Sequence, residues 1–307
     1  MTMIPSVFKS TRRAFLQLAL AATVVAIVPA HLRADDVDPS HWVIEADQAR
    51  KLLAEGALLI DARGQDLKED APLQGAAAVI WQDFTNPDLP VKGRLLADDA
   101  ALTAKLQGIG LSKGVPAVVV ADSVNGWGED GRIVWTLRTL GHSETFLVNG
   151  GIAALLAEGT PDLKSAKVPG DFTVARDEDY EITKEQLKEL IGKKDVTILD
   201  VREPREYAGE TPYGESRGGH VPGAKHIFYK DLQDKDGRVL TGDALKERLA
   251  ALGIAADTQV VAYCTGGIRS GFFTSVLNDA GYKARNYAGS MWEWSAQDPK
   301  DYPLVTE

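Results

Sequence analysis

The chain contains one structural plan written twice, and this narrows its possible folds more than any other feature. Leu58-Leu59-Ile60-Asp61-Ala62-Arg63 corresponds to Thr197-Ile198-Leu199-Asp200-Val201-Arg202. The stretch 100–122 corresponds to 243–264, and 138–151 to 278–290. The offset stays at about 140 residues, the mark of a duplicated unit. In each copy a helical pattern, Thr183 to Ile191 in the second, leads into an apolar strand that ends in Asp-x-Arg. A further helical pattern (Ala244 to Leu252) precedes the apolar strand ending at 122 or 264, and another (Ser270 to Ala280) follows it. Strands alternating with helices predict an α/β fold of two tandem domains, each a mostly parallel sheet with helices on both faces. The expected division is a leader over 1–34, a first domain over 35–160, a linker over 161–175 rich in Lys, Pro, Gly and Asp, and a second domain over 176–307.

Ligands of such sheets bind beyond the carboxyl ends of the strands. Cys264, the chain's one cysteine, stands at such an end and opens the loop Cys264-Thr265-Gly266-Gly267-Ile268-Arg269. A free thiol has a pKa near 8.5, so only a few per cent is thiolate at neutral pH. Loop N–H groups and the N-terminus of the following helix favour the anion. Gly266 and Gly267 are expected to supply positive φ values for that cradle. Arg269 is the candidate to hold an anionic ligand, because its fork suits oxyanions. The competing readings are an inert buried cysteine and an arginine that caps the next helix. The aligned position of the first copy is Asp122, which has no thiol.

The N-terminus reads as an address. Arg12-Arg13-Ala14-Phe15-Leu16 precedes an apolar stretch to Val28 that is short for a membrane span. The arginine pair resembles a twin-arginine signal, which predicts export to the periplasm, with cleavage after Ala30 or Ala34. An uncleaved membrane anchor is the alternative. Cleavage removes Lys9, Arg12, Arg13 and Arg33 and no acid, so the mature chain is more acidic than the full-length net charge of −10. Such a chain should repel nucleic acid and anionic membrane surfaces. A lone cysteine forms no internal disulfide and, in an oxidising compartment, is a liability unless used or buried.

Together these residues resemble the rhodanese sulfurtransferase family in its tandem two-domain form. The resemblance rests on Leu199-Asp200-Val201-Arg202, on Gly219-His220-Val221-Pro222-Gly223-Ala224 and on the Cys264 loop. In the first copy it rests on Asp130-Gly131-Arg132, Leu137 to His142 and Asn149-Gly150-Gly151. It implies that Cys264 is the nucleophile of the second domain and that the first domain has lost its site. It implies sulfur transfer through a Cys264 persulfide, from thiosulfate or a similar anionic donor to cyanide or a thiol, without a cofactor. Thr265, Gly266, Gly267, Ile268, Arg269 and Arg205 are then the expected substrate-binding residues. The two-domain thiosulfate enzymes carry a second arginine four residues after the Asp-x-Arg arginine; here that position is Glu206, with Arg205 adjacent. The alternatives are a 3-mercaptopyruvate sulfurtransferase and a persulfide carrier that serves a protein partner.

Other motifs carry less. Cysteine phosphatases place five residues between Cys and Arg, whereas four intervene here, a cradle better sized for sulfur than for phosphate. Gly126-Trp127-Gly128-Glu129-Asp130-Gly131 spells a dinucleotide fingerprint, but its carboxylates would face a pyrophosphate, and the repeat makes it the remnant of the lost site. Asp200 with Arg202, and Asp61 with Arg63, read as structural pairs at strand ends. His220 reads as a side chain that fixes its loop. Trp292 and Trp294 read as core or pocket wall. The five histidines are scattered and show no metal-ligand spacing.

Overall fold

The central strand runs Leu58–Asp61, Ala117–Val120, Val196–Asp200 and Gln259–Tyr263 are mostly apolar and almost wholly buried, as strands covered on both faces must be. The computed structural model describes Met1 and residues 37–306, except 66–68, 70, 165–167 and 256. The expected leader beyond Met1 lies outside the described residues.

The first half contains β1 (Val43–Ile44), α1 (Ala46–Glu55), β2 (Leu58–Asp61), β3 (Ala77–Ala78), α2 (Asp99–Gly108), β4 (Ala117–Val120), α3 (Glu129–Thr139), β5 (Thr145–Val148) and α4 (Gly151–Leu156). Its sheet runs β1-β5-β4-β2-β3 with every pair parallel, for example Leu59 beside Val118. The second half contains α5 (Lys184–Leu190), β6 (Val196–Asp200), α6 (Pro204–Tyr207), β7 (Lys225–His226), α7 (Gly242–Ala250), β8 (Gln259–Tyr263), α8 (Ile268–Asp279), β9 (Lys283–Asn286) and α9 (Ser290–Ser295). Its parallel sheet runs β7-β6-β8-β9, the order of the first sheet read from β3 to β5. A parallel bridge from Glu181 to Asn286 stands where β1 stands beside β5.

Side-chain alternation sorts each strand between two faces. Ile60, Val119, Leu199 and Val260 enter one core shared by both halves. Leu59, Val118 and Val120 face an outer core beneath α1 and α4, and Ile198, Val261 and Tyr263 face another beneath α5 and α9. Local signals set the helix ends. Thr183 and Gln186 form a reciprocal capping box at α5, and the Asp98 carboxylate accepts the Ala100 and Ala101 N–H groups at α2. The expected helical pattern over Ser270 to Ala280 begins two residues earlier, at Ile268, because Gly267 at φ 82° caps it.

Helices α3 and α8 join the halves by close backbone approach. A Cβ on Gly131 would lie 2.5 Å from the Phe272 Cα, and one on Gly271 would lie 3.1 Å from Arg132 Cδ. The Ser275 hydroxyl donates to the Gly131 carbonyl at 3.1 Å across this contact. Within the expected linker, the N–H groups of Gly170, Phe172 and Ala175 donate to carbonyls of Gln107, Leu111 and Leu140 in the first half. Among the described residues, no helix is long and apolar enough to cross a membrane.

Candidate active site

The chain leaves β8 at Tyr263 and turns at once. The Cys264 N–H donates to the Ser290 hydroxyl at 3.1 Å, and its carbonyl accepts the Met291 N–H at 3.1 Å. Ser290 sits at φ 53°, a left-handed conformation that costs a serine on the order of 1 kcal/mol or more. Its hydroxyl is anchored in turn on the Tyr287 carbonyl at 2.7 Å. The loop thus rests on the start of α9, and the thiol is only 1% exposed.

Cys264 Sγ accepts the Gly267 N–H at 3.1 Å and faces the Ser270 hydroxyl at 3.5 Å. Burial pushes the thiol pKa up, but the Arg269 guanidinium, the Ser270 hydroxyl and N–H, and the Gly266 N–H outweigh it. The net pKa is below the ordinary value of 9.0. Alkylation of the folded chain by iodoacetamide is therefore expected to rise with pH through a midpoint below that of the urea-unfolded chain, which should titrate as an ordinary thiol. Equal midpoints would remove the cradle's role.

Gly266 and Gly267 serve different ends. Gly267 takes the positive φ expected of it. Gly266 does not; it is needed because a Cβ there would lie 2.1 Å from Trp292 Cζ3. Gly266→Ala should displace the Trp292 ring, destabilise the fold by about 1–3 kcal/mol and lower turnover on the order of 100-fold. A crystal structure and steady-state rates of the variant check this.

Arg269 does not hold its fork open for a donor. It is 3% exposed and pairs bidentately with Glu206, Nη1 to Oε2 at 2.6 Å and Nη2 to Oε1 at 2.9 Å. Nη2 also donates to the Thr265 hydroxyl at 2.6 Å, and that hydroxyl donates to Glu206 Oε1 at 2.6 Å. Burial pushes the Glu206 carboxyl up, but Arg269 and Thr265 prevail and hold it below the ordinary carboxylate value. The same carboxylate raises Arg269 above its ordinary value against the opposing effect of burial. Arg205, expected to bind the donor, lies outside the cavity lining, where Glu203 takes it at 2.6 Å and the Tyr213 hydroxyl at 3.1 Å.

The thiol floors a cavity of about 200 Å³. Thr265, Gly266, Ile268 and Arg269 line it from the loop, and Trp81, Trp127, Tyr213 and Trp292 wall it. Trp127 meets Tyr213 edge-on at 5.4 Å, and the Arg269 guanidinium lies 5.2 Å from the Trp127 ring. Glu129 completes the wall, its carboxyl raised by burial. Trp127 and Glu129 belong to the segment that spells the dinucleotide fingerprint. The first half's counterpart of the cysteine loop therefore forms the wall facing the second half's thiol. At its base the Asp122 carboxylate accepts the Val124 and Asn125 N–H groups.

The remaining expected residues sit in supporting places. Arg202 binds Asp200 through Nε and Nη2 at 2.6–3.0 Å and donates to the Gly219 carbonyl at 2.8 Å. His220 contacts the Tyr207 carbonyl through Nδ1 at 3.0 Å and stacks on the Tyr207 ring at 3.7 Å. Arg63 repeats the pairing with Asp61. Sequence reasoning missed Ser270, Ser290, Trp81, Trp127 and Tyr213. Glu206, standing where an arginine is expected, was the visible signal of the pair with Arg269.

Residues 183–297 match the rhodanese-like domain model. The chain is 31% identical to a thiosulfate sulfurtransferase of Pseudomonas aeruginosa, over 82% of this chain and 93% of that protein. It is 30% identical to the sulfur carrier protein TtuD of Thermus thermophilus, over 84% of this chain and 88% of that one. The crystal structure of SseA from Escherichia coli, described with the rhodanese fold of 3-mercaptopyruvate sulfotransferases, superposes with a TM-score of 0.67 at 18% identity, over 81% of this chain and 98% of that one. A cysteine at a parallel strand's end, its sulfur cradled by the loop that opens the next helix, is thus joined by full-length relatives, and the chain belongs to the rhodanese family of sulfurtransferases.

Proposed function

We propose that the protein is a thiosulfate sulfurtransferase that works through a persulfide on Cys264. The observation that carries this reading is the sulfur itself, buried at the cavity floor and met by the Gly267 N–H and the Ser270 hydroxyl. The thiolate attacks the outer sulfur of thiosulfate. A new sulfur–sulfur bond forms to Sγ, the donor's own sulfur–sulfur bond breaks, and sulfite leaves with the bonding pair. Cyanide or a thiolate then attacks the outer sulfur, and the Cys264 thiolate departs. The two half-reactions make the kinetics ping-pong, and the cradle that stabilises the thiolate also stabilises the persulfide anion.

A second reading has its own observation. The Arg269 fork is filled by Glu206, so the loop presents no open cation to a doubly charged donor. That favours a persulfide carrier, or a sulfurtransferase whose donor is less charged, such as 3-mercaptopyruvate; a protein acceptor fits the carrier role. The tandem division at 161–175, the leader over 1–34 and a periplasmic location by the twin-arginine route complete the proposal. The test is thiosulfate:cyanide and mercaptopyruvate:cyanide turnover by the purified chain, with intact mass after donor treatment. Turnover with a mass gain of one sulfur atom supports the enzyme. A stable persulfide without turnover supports the carrier, and no gain in mass overturns both. Export is checked by cell fractionation of the tagged chain and of a variant with Arg12 and Arg13 replaced by lysine.

A further inference from the structure

Arg132 is fully buried on α3, in the half that has no thiol, and its hydrogen bonds reach into the other half's loop. Nη1 donates to the Gly267 carbonyl at 2.8 Å, and Nη2 donates to the Gly93 carbonyl at 2.7 Å. Gly93 belongs to a strap laid over the loop, where a Cβ would lie 2.3 Å from the Ala288 carbonyl oxygen and 2.4 Å from that of Gly266. Gly267 is also the residue whose N–H meets Cys264 Sγ. Its carbonyl is held a second time by Asn286 Nδ2 at 3.1 Å.

The partners of Arg132 are neutral. Among the described residues it forms no ion pair, its Nε has no hydrogen-bond partner, and the Trp135 ring lies 4.7 Å from the guanidinium. Burying a cation without a counter-ion costs several kcal/mol. Two backbone carbonyls would not need a full charge. Arg269, the other guanidinium at the loop, is already neutralised by Glu206. Arg132 thus has no anion bonded to it; Cys264 and then Glu181 act on it only through space.

We propose that Arg132 is a positioning residue for the Cys264 loop: it ties Gly267 to the Gly93 strap and supplies a cation, bonded to no carboxylate, against which the sulfur anion forms. The inference rests on Cys264 as the reacting thiol. It gives the half without a thiol a part in the other half's chemistry. Burial draws the Arg132 pKa down to about 10, while Cys264 and Glu181 act through space to raise it, so the guanidinium stays charged at neutral pH. Of the other charged or titratable groups, Arg269 acts on the thiol directly and the Cys264 charge acts on Tyr229, while Glu206 and Glu215 meet Thr265 and Glu129 lines the cavity.

The test compares the full chain with Arg132→Met and Arg132→Lys. The pH profile of Cys264 alkylation by iodoacetamide is measured together with kcat and KM for thiosulfate:cyanide transfer and the thermal melt. Arg132→Met is expected to raise the alkylation midpoint by about one unit and lower kcat about tenfold or more. Arg132→Lys is expected to restore the midpoint but not kcat, because one ammonium cannot span both carbonyls as the planar fork does. A folded Arg132→Met with the wild-type midpoint overturns the proposal. Should Arg132→Met fail to fold, Arg132→Lys decides alone: a wild-type midpoint with kcat reduced at least fivefold supports the proposal, and unchanged kcat overturns it. Alkylation does not depend on sulfur transfer. A wild-type chain inactive toward every donor would refute the proposed function and leave the alkylation comparison standing.

Discussion

Cys264→Ser is expected to abolish sulfur transfer to the uncatalysed background and to leave the chain's mass unchanged after donor treatment. The hydroxyl keeps the shape of the site, so the Ser270 and Gly267 contacts have a similar atom to meet. The chemistry does not survive the exchange. A serine hydroxyl is almost never ionised at neutral pH and has no base beside it here. A sulfur–oxygen bond also offers no counterpart to the reversible persulfide. Removing the nucleophile of a covalent mechanism costs many orders of magnitude in turnover. The fold should be indifferent: the thermal melt should move by less than about 1 kcal/mol in stability, the scale of a conservative substitution. Turnover or a sulfur adduct in this variant would refute the mechanism, because the chain has no second cysteine to take over.

The second large effect concerns the buried pair of Glu206 and Arg269, whose two members should act in opposite directions on the thiol. Removing either partner leaves the other charged and buried, which costs about 3–5 kcal/mol and should lower the melting temperature by roughly 10 °C. The chemical consequences diverge. Arg269→Ala deletes the cation that leads in holding the Cys264 pKa down, so the alkylation midpoint should rise and turnover at neutral pH should fall. Glu206→Gln keeps the shape and frees the positive charge. The midpoint should then fall further, and KM for thiosulfate should drop about tenfold, the effect of roughly 1.4 kcal/mol of added attraction. Movement of both variants in the same direction would mean that the pair acts only as a brace.

The second half's site was readable because its determinants are local. A β-branched run, a cysteine and two glycines lie within one short stretch of sequence, and their order places the thiol at a strand end. The repeated apolar runs likewise announced both sheets, since a strand covered on two faces cannot hide its composition. What stayed out of reach depends on contacts between distant residues. Glu206 and Arg269 are 63 positions apart and Arg132 and Gly267 are 135 apart, and no spacing rule links such pairs. The resemblance places Arg205 at the donor because it adjoins the position of the family's second arginine, yet Glu203, two residues before it, pairs with it at 2.6 Å. Gly266 was correctly marked as special for the wrong reason: a neighbouring ring, not a backbone angle, requires it.

The wall formed by Trp127 and Glu129 bears on how an enzyme of this kind can diversify. The half that holds the thiol is tightly constrained, since Gly267, Ser270 and Ser290 all bond to Cys264. The half without a thiol still lines the same cavity, through Trp81, Trp127 and Glu129. Changes at Trp81, Trp127 or Glu129 reshape what can enter without disturbing the thiol's cradle. Selectivity can therefore drift in one half of the gene while reactivity is inherited intact in the other.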